Sequence, residues 1–170
     1  MTTTESPVDQ ALRLDAQLCF AVHAASRAFD GLYRVTLREA GLTYPQYLVM
    51  LVLWEHGEVT VKEIGKRLRL DSGTLSPLLK RLEAAGWVER RRGVEDERSV
   101  SVRPTGAGAE LKERICPVPL KTAASTGIGL AEVTALREQL NALTQSLDAA
   151  TGRLAEAAAA EAAPATGHAD

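Results

Sequence analysis

Between Ala11 and Phe29, thirteen of nineteen residues are apolar, and neither proline nor glycine interrupts them. A surface helix carries its apolar side chains as one stripe, so a helix this evenly apolar has to be covered on more than one side. A chain of 170 residues has little other structure with which to wrap it. The segment is therefore expected to be a dimerisation helix packed against a second copy of the chain. The alternative is a central helix wrapped by its own chain.

The next segments set a second constraint. Thr43-Tyr44-Pro45-Gln46 reads as an N-cap with proline in the first turn, followed by an apolar helix to about Glu55 and a stop at Gly57. Thr60-Val61-Lys62-Glu63 is a capping box that starts a short helix through Leu68. Leu70-Asp71-Ser72-Gly73 provides a turn and a new N-cap, and a further helix runs to Ala85 before Gly86. Two short helices joined by a tight turn form a helix-turn-helix. Two short strands, Trp87 to Arg91 and Ser99 to Arg103, flank the charged loop 92–98. Helix-turn-helix followed by a β-hairpin is the winged-helix arrangement. Helical patterning resumes from Thr105 to Ile115, breaks at Pro117, Pro119 and the Gly127/Gly129 pair, and returns from Leu130 to Ala149. There Val133, Leu136, Leu140, Leu143 and Leu147 form a second seam for subunit pairing.

The expected fold is mainly α with a small β-hairpin, a winged helix-turn-helix on a helical dimerisation domain. Its parts are a flexible N-terminus (1–10), a dimerisation helix region (11–42), the winged lobe (43–104), C-terminal dimerisation helices (105–149) and an Ala-rich tail (150–170), read as a frayed helix passing into disorder. Composition, 45% hydrophobic, fits one domain or two small lobes and excludes disordered, collagen-like and disulfide-framework chains. Two cysteines without a C-x-x-C or Cys/His cluster give no metal site and indicate a reducing compartment. Met1 to Gln10 has no basic and apolar leader, and no run approaches the ~18 apolar residues of a membrane span. A cytoplasmic protein with no membrane partner and no cofactor is expected.

The net charge of -2 predicts no polyanionic partner, but its distribution does. Gly65 to Pro104 holds ten Lys and Arg against six Asp and Glu, so this stretch carries +4 and the remainder -6. On the helix from Ser72, Leu75, Leu78, Leu79 and Leu82 form the core stripe. The opposite face presents Gly73, Ser76, Pro77, Lys80 and Arg81, with Ser72 and Thr74 at its start. Small hydroxyls can approach base edges or phosphates, N-terminal amides favour a phosphate oxygen, and this helix is placed in a major groove. Pro77 removes one amide donor within two turns of the start, so a distorted first turn is expected. Arg90, Arg91 and Arg92 lead into the wing and Arg98 leaves it, which suits a minor groove; Asp96 is positioned to hold the Arg98 guanidinium. The plainer reading of such a charge run is a solvated hairpin.

These residues resemble the MarR family of dimeric winged-helix repressors, and within it the organic hydroperoxide sensing branch, OhrR. The likeness rests on Gln17-Leu18-Cys19-Phe20, Thr43-Tyr44-Pro45-Gln46-Tyr47, Leu53-Trp54-Glu55, the run from Leu70 to Glu83 and Asp96-Glu97-Arg98-Ser99. It implies a homodimer that binds a palindromic double-stranded DNA operator and releases it when Cys19 is oxidised by an organic hydroperoxide. It also implies that Tyr33 and Tyr44 of the partner subunit hydrogen-bond the thiolate. A phenol donor beside a thiolate favours the charged, reactive form. Oxidation gives a sulfenic acid that a second thiol captures.

The chain departs from the family pattern at two places. His23 stands where many relatives have tyrosine; it is either an aid to the thiolate at i+4 from Cys19 or a polar residue satisfied at the interface. Two-cysteine relatives place the resolving thiol just before Ala-Thr-Gly, whereas here Cys116 lies eight residues before Ala124. Cys116 is thus either the resolving thiol or an inert packed one, with a low-molecular-weight thiol resolving Cys19 instead. For Cys19 the bland reading is a buried small hydrophobe. Two competing functions remain: a repressor answering to a small aromatic ligand or to other oxidants, with Cys19 structural, and a thiol peroxidase using Cys19 with His23. No donor-site motif supports the second, and no enzyme is expected.

Overall fold

Side-chain caps decide where the helices begin in this computed structural model, which describes residues 6–92 and 100–162. Ser6 caps α1 (Pro7–Ala11) by accepting the Val8 amide. The long N-terminal helix, α2 (Leu18–Thr36), starts later than the apolar run suggested. The reason is local: the Gln17 side-chain amide donates to the carbonyls of Ala11 and Arg13 at 2.6 and 3.2 Å, and Arg13 pairs with Asp15 at 2.8 Å. These contacts favour a short 3-10 turn, Leu14–Ala16, over a continuous helix.

Thr43 and Gln46 form a capping box that opens α3 (Tyr44–His56). Gln46, Tyr47, Val49, Met50, Val52 and Leu53 are all buried, so α3 is enclosed around most of its circumference. It is the centre of the lobe. The strand β1 (Val59–Thr60), absent from the sequence expectation because two residues show no alternation, leads into α4 (Val61–Leu68), which Thr60 caps through the Glu63 amide at 3.1 Å. The turn that follows places Arg69 at φ 56° and closes with the Leu70 amide on the Gly65 carbonyl at 2.9 Å. A side chain at Gly65 would lie 2.9 Å from the Leu70 carbonyl oxygen, so glycine permits the turn to fold closely back on α4.

Asp71 caps α5 (Ser72–Ala84). Its first turn is regular, with the Leu75 amide 3.0 Å from the Asp71 carbonyl. The distortion expected from Pro77 does not occur: as the sixth residue of α5 and on its exposed face, it forgoes one bond without breaking the helix. The strands β2 (Val88–Arg92) and β3 (Val100–Pro104) pair antiparallel, with Arg90 opposite Val102, and β1 adds to the other edge of β3. Val88 and Val102 turn inward to meet Leu75, Leu79 and Leu82 in the core. Leu78 is only half-buried.

Thr105 caps α6 (Gly106–Ile115), whose Gly108 abuts the Trp87 backbone; a Cβ there would fall 1.9 Å from the Trp87 carbonyl oxygen. The Gly108 carbonyl accepts the Trp54 indole N–H at 2.8 Å, tying α3 to α6. A short helix, α7 (Pro117–Ala124), follows. The chain divides into two compact units at Thr122/Ala123. The second unit consists mainly of α8 (Leu130–Ala162), which runs twelve residues past Ala150 into the segment read as a frayed helix; residues 163–170 lie outside the described residues. High alanine content sustains α8. Leu136, Leu140 and Leu147 are exposed along α8. The architecture is the expected mainly helical winged helix-turn-helix, with a third strand added to the hairpin.

Candidate nucleic-acid interface and thiol site

The basic face is assembled from α4, α5 and the hairpin. On α5, Ser72, Gly73, Thr74, Ser76, Pro77, Lys80 and Arg81 are all exposed, opposite the buried Leu75, Leu79 and Leu82. The Asp71 carboxylate accepts the Thr74 amide at 2.9 Å and its hydroxyl at 2.8 Å. Those two bonds, the backbone one foremost, hold the Asp71 carboxyl below the usual carboxylate range. The ionised carboxylate thus closes the N-terminus of α5 on itself, with the Gly73 backbone adding to the Thr74 bonds.

An open cleft of about 680 Å³ runs between α4, α5 and the hairpin, lined by Lys62, Lys66, Ser72, Ser76, Arg90 and Val100. Lys62 and Lys66 join this face from α4, outside the helix and hairpin whose patterns mark it in the sequence. Their i, i+4 spacing on a helix preceding the turn was the available signal. Arg90, expected to face DNA, is engaged within the protein: its Nε and Nη2 donate to the Glu83 carboxylate at 2.8 and 2.5 Å. That hydrogen bond holds Glu83 below its ordinary range. Glu89 is likewise held low, first by Arg103 and then by Arg91, whose Nη2 lies 3.5 Å away. Of the remaining wing residues, Arg92 ends β2, and Asp96 and Arg98 lie outside the described residues.

The tyrosines form a cluster. Tyr33 of α2 stacks on Tyr44 of α3 with ring centroids 4.3 Å apart, and lies 5.7 Å from Tyr47. Burial, reinforced by the neighbouring phenols, pushes Tyr47 up to about 12. Burial also raises Tyr44, with Tyr33 and Asp30 adding to the effect. Tyr44 and Tyr47 thus stay neutral O–H donors well above physiological pH.

Cys19 is exposed in the first turn of α2, and His23 is exposed one turn further on. Tyr33 lies fourteen residues along the same helix, roughly 21 Å at 1.5 Å per residue. The structure therefore does not bring Cys19 to the tyrosines of its own chain. Cys116 caps α6 and is also exposed, so neither thiol is a buried packing residue within the protomer. It borders an apolar groove of about 480 Å³ shared with Tyr47, Leu51, Trp54, Ile115 and Pro119. Among the described residues no cluster of three or more His, Cys, Asp or Glu could hold a metal ion, and no helix is long and apolar enough to cross a membrane.

Comparison with known proteins agrees with this geometry. A family model described as "MarR family" matches residues 42–100. The HTH-type transcriptional regulator TtmR of Methylorubrum extorquens (strain PA1) is 51% identical over 144 residues, 85% of this chain and 74% of the relative. The organic hydroperoxide resistance transcriptional regulator of Bacillus subtilis (strain 168) is 49% identical over 108 residues, 64% of this chain and 74% of the relative. Among solved structures, reduced AbfR bound to DNA, a protein of Staphylococcus epidermidis, superposes with a TM-score of 0.68 at 37% identity, covering 82% of this chain and 97% of that one.

Proposed function

The chain belongs to the MarR family, as a DNA-binding transcriptional regulator, and we propose that it is a homodimeric repressor whose hold on its operator is released when Cys19 is oxidised by an organic hydroperoxide. One observation carries the reading. An exposed cysteine sits on a helix with no buried residue, about 21 Å from the tyrosine cluster of its own chain. A second copy packed on α2 would cover the apolar side chains and bring its Tyr33 and Tyr44 to Cys19. The resemblance to a hydroperoxide resistance regulator supports the same oxidant.

In the proposed reaction the Cys19 thiolate attacks the terminal peroxide oxygen. An S–O bond forms as the O–O bond breaks, the sulfur is oxidised to a sulfenate, and the peroxide leaves as an alcohol. A second thiol then displaces hydroxide from the sulfenic acid, giving a disulfide and water. Exposed Cys116 of the partner subunit or a low-molecular-weight thiol supplies it. The altered sulfur no longer accepts the tyrosine hydrogen bonds, α2 moves, and the two winged lobes lose their register with successive major grooves. Ser72, Gly73, Thr74, Ser76, Pro77, Lys80 and Arg81 face one groove, and the wing contributes Arg91, Arg92, Asp96 and Arg98 to the other.

Cys19→Ser decides the matter. The variant should bind operator as wild type does and remain bound when cumene hydroperoxide is added, read by electrophoretic mobility; release of DNA by the variant would sink the proposal. The apolar groove beside Cys116 favours a second reading, release by a small aromatic ligand with Cys19 structural. Under that reading the variant would respond to ligand and wild type would not respond to peroxide.

A further inference from the structure

The basic residues around the cleft fall into two groups that their sequence positions do not reveal. Arg67, Arg90, Arg91 and Arg103 each face a carboxylate of the same lobe: Glu63, Glu83 and, for the last two, Glu89. Lys62 and Lys66 are exposed on one face of α4, line the cleft, and have no carboxylate partner among the described residues. A phosphate is neutralised most readily by a cation that need not first leave an ion pair. Resting on the DNA-binding reading, we propose that Lys62 and Lys66 contact backbone phosphates across the cleft, whereas Arg90 is a positioning residue that fastens the wing to the recognition helix through Glu83.

The geometry separates the two roles. Glu83 lies in the last turns of α5 and Arg90 in the middle of β2, so their ion pair bridges the two elements that must enter neighbouring grooves together. Arg90 donates with two nitrogens to one carboxylate oxygen while only about a third exposed, which fixes the angle between strand and helix. Lys62 and Lys66 fix nothing within the lobe. Their Cβ atoms are one helical turn apart, about 6 Å, and from there both side chains can reach adjacent phosphates along one strand.

Salt dependence distinguishes a phosphate contact from a positioning residue. The full-length protein selects a duplex from a random-sequence pool, and its affinity for that duplex is measured across a series of KCl concentrations. Lys62→Gln and Lys66→Gln should each flatten the slope of log K against log [KCl] by about 1.8, about 0.9 for each phosphate in each subunit of a dimer. The double variant Glu83→Gln/Arg90→Gln, which removes the tether without altering net charge, should weaken binding about tenfold at every salt concentration and leave the slope unchanged. Glu83→Gln alone should also weaken binding. Unaltered slopes in both lysine variants would overturn the phosphate assignment. A flattened slope in the double variant, or tighter binding by Glu83→Gln as a freed Arg90 reached the backbone, would overturn the positioning role. Failure of the wild-type protein to select any duplex would instead remove the DNA-binding reading on which both rest.

Discussion

Helices α2 and α3 are both rich in apolar residues, yet one has no buried side chain and the other is enclosed. In α3 the chain surrounds Val49, Met50 and Leu53 with α4, α5, β3 and α6, and none of the three is more than 1% exposed. In α2, Leu18 is 64% exposed and Phe20, Val22 and Phe29 are each 41% exposed. Apolar content alone therefore does not distinguish a core helix from an interface helix. What distinguishes them is the number of other elements the chain can bring to each.

Four measurements break or sharpen that contrast. Leu53→Ala should cost about 2 to 5 kcal/mol in urea unfolding, a loss independent of protein concentration. Phe20→Ser should have a smaller effect that grows on dilution, because it weakens association rather than the lobe; sedimentation velocity should show more monomer. A loss equal at all concentrations would mean that α2 is covered by its own chain. Thr60→Ala, at the lobe's edge, should cost about 1 kcal/mol without altering the dimer. The smallest effect is alkaline. Tyr47 is raised from its ordinary value of 10 to about 12, so the folded state favours the neutral phenol. Its contribution to stability is fully present below about pH 10 and is lost as pH rises towards about 12, checked by thermal melting of Tyr47→Phe against wild type.

Much of the fold was legible because it depends on local chemistry. Thr43, Thr60, Asp71 and Thr105 each begin a helix through hydrogen bonds spanning three residues, and such signals survive in a linear reading. The start of α2 was misjudged because apolar continuity from Ala11 conceals the Gln17 side chain, which diverts the backbone between Ala11 and Gln17. The face of α5 followed from its leucine spacing. The Glu83–Arg90 pair did not, since it depends on how β2 folds back across α5 after Gly86, and opposite charges seven residues apart carry no such information. Tyr33 and Tyr44 were expected to reach Cys19 of the other subunit, and no cluster among the tyrosines themselves was read from their sequence positions. Within the chain, Tyr33, Tyr44 and Tyr47 already gather by themselves, bringing a late residue of α2 onto the first turn of α3.

The junction at Gly108 has a practical consequence. Both tryptophans of the protein meet there, Trp54 through its indole N–H and Trp87 through its backbone. Both emitting residues of the protomer thus touch one glycine that joins the winged lobe to α6, Trp54 by its ring and Trp87 by its main chain. Intrinsic fluorescence, with no label attached, becomes a local optical probe of that joint, and its spectral position before and after oxidation would report whether motion begun at α2 passes through it.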